Sequence, residues 1–294
     1  FQAMIPRYQV LIPLWYNPNM IKNSDVSTHD LQTFNLVSTL ISIINKNNDT
    51  DMDFIFADYF LKHLEDLESI SIYEIADACY TSRSSVQRFI KDIGFESYNK
   101  LKSKTQEVLR HNRRYLNFYR ENNFKEIYRK NINNMMDNFD KFYNSEHIDY
   151  FVDLLHISDK IVFSIAEGSS VAPFDFQEAL VSLHKNVRVI TNSTKNMELL
   201  LSLKETDTLI TLSMTGNYAL ATLNEIEKTK ANKVLITLNH STIFNIVYDK
   251  VIHFTDDNSS KDYIQDGVRN AYTIYGFNYL FDLILNRYFE KYND

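Results

Sequence analysis

The pattern of apolar and polar positions between residues 69 and 95 predicts two short helices joined by a tight turn. In the second helix, apolar residues at i, i+3, i+4 and i+7 form a face that can be buried. This face comprises Val86, Phe89, Ile90 and Ile93. The opposite face carries hydroxyl, amide and cationic groups, on Ser84, Gln87, Arg88 and Lys91. A helix with these two faces has the shape and chemistry of the reading helix in a helix-turn-helix unit.

Capping signals mark the ends of both predicted helices. Ser71 and Glu74 fit the S-x-x-E capping box that starts a helix. Thr81 or Ser82 is placed to cap the second helix, and Gly94 is placed to end it in a left-handed conformation. These signals do not by themselves indicate DNA binding, since an amphipathic helix pair inside a helical bundle has the same pattern.

The local charge around the second helix favours a DNA-binding unit over an amphipathic helix pair inside a bundle. Residues 83–114 carry nine lysines and arginines against three acids, a local charge of +6, whereas the whole chain has a net charge of −7. The cations are Arg83, Arg88, Lys91, Lys100, Lys102, Lys104, Arg110, Arg113 and Arg114. Positive charge concentrated on and just after the second helix is expected where a protein binds a phosphate backbone.

The segment that starts at Ser82 resembles the N-terminal helix-turn-helix domain of the RpiR family of bacterial transcriptional regulators. The positions that carry the resemblance are Ser82, Val86, Arg88, Phe89, Lys91, Gly94, Phe95, Tyr98, Leu101 and Lys102. We expect Gln87 and Arg88 to contact base edges, and serines and lysines to contact phosphates. The expected DNA-binding residues are Ser82, Arg83, Ser84, Ser85, Gln87, Arg88, Lys91 and Lys102.

Length and composition limit the class of protein. A chain of 294 residues with 44% hydrophobic content is expected to form two domains with sizeable cores. The sequence lacks an apolar run long enough for a membrane span and lacks the pattern of a signal peptide, so we expect a cytoplasmic protein. The single cysteine, Cys79, excludes an internal disulfide and a cysteine-rich zinc site, and no cofactor is expected.

Two domains and a linker can be placed along the chain. Apolar-rich helices predicted over residues 31–44 and 54–67 complete an all-α helix-turn-helix bundle at residues 5–110. Residues 111–125, rich in Asn, Arg and Tyr, are predicted as a linker. The second domain is expected over residues 126–294.

After a long predicted helix over residues 124–143, short β-rich runs alternate with helix-like segments. The predicted strands are 160–166, 187–191, 208–213, 233–238 and 250–254. The predicted helices between and after them are 172–184, 197–204, 218–230, 243–248 and 263–292. This alternation indicates an α/β domain, with a five-stranded parallel sheet flanked by helices.

Two loops rich in small and hydroxyl-bearing residues lead from predicted strands into helices. One spans residues 166–172, after the first strand, and the other spans residues 213–218, after the third. Open parallel sheets bind ligands at the carboxyl ends of their strands, and backbone amides with nearby hydroxyls attract anions such as phosphate. Ordinary strand-to-helix turns use the same residue types, so either loop alone leaves both interpretations open.

Together the two loops are similar to those of the SIS (sugar isomerase) domain, which binds phosphosugars. The resemblance implies that Ser170, Ser213 and Thr215 hold the phosphate. The full expected phosphosugar site is Gly168, Ser169, Ser170, Ser213, Thr215, Gly216 and Asn217. The chain departs from the SIS pattern at Ala166, Glu167 and Tyr218. These departures leave open a ligand other than a standard hexose phosphate.

These observations lead to one main hypothesis and two alternatives. The main hypothesis is a non-enzymatic regulator of carbohydrate metabolism genes that binds double-stranded DNA at a palindromic operator and responds to a sugar-phosphate effector. It would act as a homodimer or a dimer of dimers, away from any membrane. The first alternative is a phosphosugar isomerase, with Glu167, Glu178, His184 and His240 as the available bases. The second is a regulator whose degenerate SIS domain dimerises without a ligand.

Overall fold

The computed structural model describes residues 36–120, 122–166, 171–191, 196–254 and 275–292. Within these ranges the first part of the chain is helical, and the later part is built on one parallel β-sheet. Both halves of the predicted fold class are therefore confirmed, whereas the domain boundaries stay a prediction. None of the helices in these ranges combines the length and the apolar composition that a membrane span requires.

Five helices of the described residues form the N-terminal bundle. They are α1 (Leu36–Lys46), α2 (Met52–Lys62), α3 (Ile72–Ala78), α4 (Arg83–Asp92) and α5 (Tyr98–Phe118). Their apolar faces meet in a single core. Each helix contributes at least one fully buried side chain to it, for example Leu40, Phe60, Ile75, Ile90 and Leu101.

The capping predictions around the turn between α3 and α4 are confirmed. The amide of Glu74 donates to Ser71 Oγ at 3.2 Å, and the amide of Ser71 donates to the Glu74 carboxylate at 2.7 Å. Ser82 is the residue that caps α4, since its hydroxyl accepts from the amide of Ser85 at 3.2 Å. Gly94 follows α4 with a φ of +97°. Local sequence signals thus fix both ends of the helix-turn-helix.

Two helix ends in the bundle differ from the predictions. Helix α2 ends at Lys62 rather than near residue 67, because the acids that follow oppose the dipole at a helix C-terminus. Helix α5 continues to Phe118, so residues 111–118, predicted as the start of the linker, are helical. That stretch contains no glycine or proline, and its Asn, Arg and Tyr content does not stop a helix already under way. Residues 31–35 of the first predicted helix lie outside the described residues.

The five predicted strands form one parallel sheet. They are β1 (Ile161–Ile165), β2 (Val187–Ile190), β3 (Thr208–Leu212), β4 (Asn232–Thr237) and β5 (Lys250–His253). Their spatial order is β2-β1-β3-β4-β5, and all four neighbouring pairs are parallel. From β1 the sheet is extended to one side by β2 and to the other side by β3, so the strand order reverses between β1 and β3. The carboxyl ends of these two strands therefore border the crevice in which open sheets bind ligands.

Helices cover both faces of the sheet. They are α6 (Phe124–Tyr143), α7 (Glu146–Ile157), α8 (Ala172–Ser182), α9 (Met197–Ser202), α10 (Asn217–Ala221), α11 (Leu223–Ile226) and α12 (Phe277–Tyr292). Ile161 and Phe163 of β1 pack in a core with α6, α7, α8 and α12. Val162, which points to the opposite face, packs with α9, α10 and α11. The sheet is thus the middle layer of three, as the strand–helix alternation predicts.

Helix α6 has the predicted bounds, but two later segments differ from the predictions. The helix predicted over 218–230 is split into α10 and α11 by Thr222, whose hydroxyl donates to the Tyr218 carbonyl at 2.8 Å and whose backbone leaves the helical region. The segment predicted over 243–248 is a 3₁₀ helix, Thr242–Ile246. The last predicted helix is present as α12, and residues 263–274 lie outside the described residues.

Tyr98 on α5 connects the bundle to the loop before α3. Its buried hydroxyl lies 3.1 Å from the Leu67 carbonyl oxygen and 3.0 Å from that of Ile70. Burial raises the pKa of Tyr98 to about 12, so the hydroxyl remains a donor through neutral pH. We expect Tyr98→Phe to lower the free energy of unfolding by about 1–2 kcal/mol, because these carbonyls lose their shared donor.

Urea unfolding of the full chain measures this loss. Tyr80→Phe is the matched control, since it removes the hydroxyl of a tyrosine that is 97% exposed and should leave stability nearly unchanged. Equal losses in the two variants would contradict the role assigned to Tyr98.

Candidate functional site

The exposed face of α4 is the first candidate site. The predicted DNA-binding residues on this segment that are exposed are Ser82, Arg83, Ser84, Gln87, Arg88 and Lys91. Ser85 is half-buried, and Lys102 on α5 is also half-buried. The arrangement presents hydroxyl, amide and guanidinium groups to solvent on one helix face.

The opposite face of α4 is anchored in the bundle core. Val86 and Ile90 are fully buried, and Phe89 is nearly so. The Phe89 ring centroid lies 5.1 Å from that of Phe56 and 5.8 Å from that of Phe60, both on α2. This packing fixes the rotation of α4 about its axis. The polar face is therefore held outward before any ligand arrives.

Three serine hydroxyls gather at the start of α4. Ser82 Oγ lies 2.8 Å from Ser84 Oγ and 2.9 Å from Ser85 Oγ. Hydroxyls of this kind are common ligands of DNA phosphates. Further along the helix, the amide of Gln87 and the guanidinium of Arg88 are groups that make bidentate contacts to base edges in a major groove.

Glu74, an acid on which Lys102 acts, is occupied as a helix cap. The Ser71 amide holds the pKa of the Glu74 carboxyl below its usual range, and the Ser71 hydroxyl and Lys102 act more weakly in the same direction. Lys102 Nζ itself lies 5.1 Å from the centroid of the Tyr98 ring. A cation in this position is attracted to the face of the ring.

The second candidate site is the loop after β3, at the carboxyl end of the sheet. A turn brings its predicted residues together, with the Gly216 amide donating to the Ser213 carbonyl at 2.9 Å. Ser213 is 6% exposed, and its hydroxyl accepts from the Ala219 amide at 3.2 Å, which leaves the hydroxyl hydrogen free to be donated elsewhere. Thr215 is half-buried and Asn217 is exposed.

The predicted residues of the loop after β1 fall outside the described residues. They are Gly168, Ser169 and Ser170, together with the departure Glu167. The other departure in that loop, Ala166, directly follows β1 and is half-buried.

Asn239, in the loop after β4, supports the loop after β3. Its Nδ2 donates to the Thr215 carbonyl at 2.9 Å, and its Oδ1 accepts from the Ser241 amide at 2.9 Å. Gly216 has a φ of +81°, and a Cβ added there would lie 2.6 Å from Asn239 Nδ2. The glycine is thus required both by its conformation and by the approach of Asn239. Sequence reasoning missed Asn239, whose only signal is its position just after a strand.

Tyr218, the departure from the SIS pattern at the start of α10, is directed into the domain. It is 6% exposed, and its hydroxyl lies 2.8 Å from Ser164 Oγ on β1. Ser164 is itself fully buried. The tyrosine therefore connects α10 to β1, where a compact threonine would leave its hydroxyl in the loop.

Three of the bases considered for an isomerase, Glu178, His184 and His240, lie within the described residues. Glu178 is exposed on α8, and His184 follows the same helix with a φ of +59°. The His240 ring, after β4, stacks on His253 with centroids 4.0 Å apart. None of these three belongs to the loop that carries Ser213. Across the described ranges, no group of three or more His, Cys, Asp or Glu side chains is arranged to hold a metal ion.

Comparison with protein families decides the nature of the helical part. The model of the helix-turn-helix domain of the rpiR family matches residues 39–111, about a quarter of the chain. Residues 39–111 are an rpiR-family helix-turn-helix domain. This rpiR-family domain includes all of α2, α3 and α4, and therefore the exposed face of α4. A comparison with curated proteins gives no match.

Three solved structures are similar to the chain at low identity. NanR of Vibrio vulnificus, complexed with ManNAc-6P, is 14% identical, with 88% of this chain and 92% of NanR covered and a TM-score of 0.44. The sugar isomerase domain of an RpiR transcription factor from Sphaerobacter thermophilus is 16% identical, with 54% and 87% covered and a TM-score of 0.40. A hypothetical protein from Methanococcus jannaschii, with an inferred 3-hexulose-6-phosphate isomerase function, is 18% identical, with 55% and 88% covered and a TM-score of 0.39. Likenesses at these scores assign no function to this chain.

The contact between Gly216 and Asn239 leads to a double-mutant prediction. We expect Gly216→Ala to lower the free energy of unfolding by about 2–3 kcal/mol, because the added Cβ is strained at positive φ and meets Asn239. In an Asn239→Gly background the same substitution should cost about 1 kcal/mol, since only the backbone strain remains. Thermal unfolding of the four chains measures the coupling, and equal costs in both backgrounds would contradict the contact.

Proposed function

We propose that this chain is a DNA-binding transcriptional regulator of carbohydrate metabolism genes, and that a phosphorylated sugar bound in the sheet domain modulates its binding to DNA. The observation that carries the proposal is the exposed face of α4 inside an rpiR-family domain. Serine and lysine side chains, such as those of this face, contact DNA phosphates, and Gln87 and Arg88 are of the residue types that contact base edges in a major groove. The chain acts as a regulator and not as an enzyme.

The proposed partner is double-stranded DNA. The anchored face of α4 leaves its polar face free to enter the major groove, and the cations of α4 and α5 neutralise phosphates beside it. A homodimer, or a dimer of dimers, would set two such helices about 34 Å apart on a palindromic operator. Ser82, Arg83, Ser84, Ser85, Gln87, Arg88, Lys91 and Lys102 are the proposed contacts.

The proposed effector site is the crevice between β1 and β3. Ser213 and Thr215 supply hydroxyls at its edge, and Gly216 and Asn217 complete the loop. Gly168, Ser169 and Ser170, which lie outside the described residues, are proposed to belong to the same site, because the SIS resemblance implies that Ser170 holds the phosphate. Because Tyr218 turns its hydroxyl to Ser164, the phosphate would have one donor fewer than in a site with threonine at this position.

The proposed mechanism is a shift between two arrangements of the subunits. A ligand that binds one arrangement better raises its population by the difference in affinity. If only one arrangement spaces the two α4 helices for one turn of DNA, the effector changes DNA affinity without touching α4.

Substitution of Arg88 tests the DNA interface. The probe is a duplex selected from a random library by binding to the wild-type chain, and affinity is measured by fluorescence anisotropy at several salt concentrations. We expect affinity to fall with salt, because cations of the protein displace counterions from DNA. Arg88→Ala should weaken binding about 5- to 150-fold, the cost of one lost base contact.

Lys228→Ala is the matched control, because it removes one positive charge from an exposed position in the sheet domain. It should bind the selected duplex as the wild type does. Binding without salt dependence, or the same affinity for Arg88→Ala and Lys228→Ala, would contradict the proposed DNA interface.

A thermal-shift screen tests the effector site. Sugar phosphates, with ManNAc-6P among them, are added to the full chain beside inorganic phosphate and the unphosphorylated sugars. A true effector at 100 times its Kd should stabilise the sheet domain by about 2.7 kcal/mol. Ser213→Ala should remove most of that shift. If no phosphosugar stabilises the wild type, the chain is instead a dimerising regulator with a degenerate SIS domain.

A further inference from the structure

The turn before α4 contains an exposed aromatic residue in an unfavourable backbone conformation. Tyr80 is 97% exposed and has a φ of +50°. Its amide donates to the Asp77 carbonyl at 3.1 Å, and the amide of Thr81 donates to the Ala76 carbonyl at 2.9 Å. These two bonds form the Schellman motif that ends a helix, and Tyr80 occupies the left-handed position in which glycine is usual.

The same motif ends α4 with the usual residue. Gly94 donates to the Lys91 carbonyl at 2.9 Å, and Phe95 donates to the Ile90 carbonyl at 2.9 Å. Glycine adopts this conformation without the steric cost that a Cβ imposes. Tyr80 bears this steric cost, and almost none of its side chain is buried in a way that would compensate for it. Folding of the bundle therefore gives no reason for a tyrosine in this turn.

A second exposed tyrosine holds the first cation of α4. Tyr73 on α3 is 61% exposed, and its hydroxyl accepts from Arg83 Nη1 at 2.7 Å. The guanidinium carbon of Arg83 also lies 5.3 Å from the centroid of the Tyr73 ring. The tyrosine hydroxyl keeps its own hydrogen to donate, and a guanidinium has five N–H groups, of which this contact uses one. The contact thus orients both side chains and leaves the Tyr73 hydroxyl and most N–H groups of Arg83 able to donate to a ligand.

Both tyrosines lie outside the face of α4 that is suited to the groove. Tyr73 is on the first helix of the unit, and Tyr80 is in the turn, two residues before the cap Ser82. In helix-turn-helix units the first helix crosses the DNA backbone while the second enters the groove. Phosphate oxygens are acceptors for tyrosine hydroxyls and for arginine, and they are the acceptors available at that position.

The geometry points to a phosphate clamp formed by Tyr73, Tyr80 and Arg83, which binds the backbone of duplex DNA beside the groove that α4 enters. The inference rests on the proposed function and adds Tyr73 and Tyr80 to Arg83, which is already one of its proposed contacts. Because the clamp binds phosphates, it contributes equally to operator and non-operator DNA.

The test uses glycine substitutions at two matched positions. His184 ends α8 in the same motif, with a φ of +59°, and its amide donates to the Val181 carbonyl at 2.9 Å. Tyr80→Gly and His184→Gly should each raise the Tm of the domain that carries them by about 2–4 °C, because both relieve the same backbone conformation. Only Tyr80→Gly should weaken DNA binding. This variant should therefore be more stable than the wild type and yet bind DNA less tightly.

The probe is a mixed-sequence duplex of about three helical turns, without operator sequence, in fluorescence anisotropy at low salt. We expect Tyr80→Gly, Tyr80→Phe and Tyr73→Phe each to weaken binding about 3- to 10-fold, the typical net loss for one hydrogen bond at an exposed site. The selected duplex should lose affinity by the same factors. The two tyrosine-to-phenylalanine variants should leave the salt slope unchanged, whereas Arg83→Ala should reduce it by about 0.9, because only arginine releases counterions.

The outcomes separate this inference from the proposed function. If wild-type binding depends on salt and falls in Arg88→Ala, but Tyr80→Gly and the two phenylalanine variants bind like His184→Gly, the clamp is wrong and the proposed function stands. A loss confined to the selected duplex would also overturn the clamp, since it would indicate contacts to bases. If the wild type binds neither duplex, the proposed function fails and the clamp fails with it.

Discussion

The burial of one face of α4 is the constraint on which the DNA-binding account depends. Val86 and Ile90 are fully buried, and Phe89 packs against two rings of α2, so α4 has one orientation in the bundle. Because a helix presents opposite faces at fixed angles, this anchoring also decides which side chains meet solvent. Ser84, Gln87, Arg88 and Lys91 are exposed for that reason. A rigid presentation of this kind lowers the entropy lost when DNA binds.

A similar relation between packing and exposed chemistry holds at the sheet. The crevice between β1 and β3 follows from the strand order, and the loop after β3 is held by Asn239 from the neighbouring loop. Tyr218 adds a second connection, from α10 to Ser164 on β1. Ser213 and Thr215 are thus carried by a loop whose backbone is fixed on two sides. The departure from the SIS pattern at Tyr218 changes the donors of the proposed effector site while it strengthens the frame around that site.

Features specified by neighbouring residues could be predicted from the sequence. The capping box at Ser71 and the cap at Ser82 lie where the sequence indicates, because each depends on residues three positions apart. Helix α6 also has the predicted bounds, although no side-chain hydrogen bond caps its start. Residues 111–118 of the predicted linker are helical, because their polar composition includes no residue that breaks a helix. Thr222 shows the converse, since one side-chain hydrogen bond divides a segment whose pattern predicts a single helix.

Features specified by distant residues could not be predicted in the same way. Asn239 and Thr215 are 24 positions apart, and Ser164 and Tyr218 are 54 positions apart. Only the parallel order of the strands brings each pair together. The contact of Arg83 with Tyr73 likewise depends on the angle between α3 and α4. The proposed contacts of α4 with DNA, and of the two loops with a phosphosugar, stay predictions.

Site-directed photo-crosslinking tests the central claim most directly. A benzoylphenylalanine placed at Gln87 lies on the exposed face of α4, and the same residue placed at Asp53 is exposed on α2. The account predicts that the full chain, bound to duplex DNA, crosslinks to it from position 87 and not from position 53. Equal crosslinking from both positions, or crosslinking from position 53 alone, would contradict it.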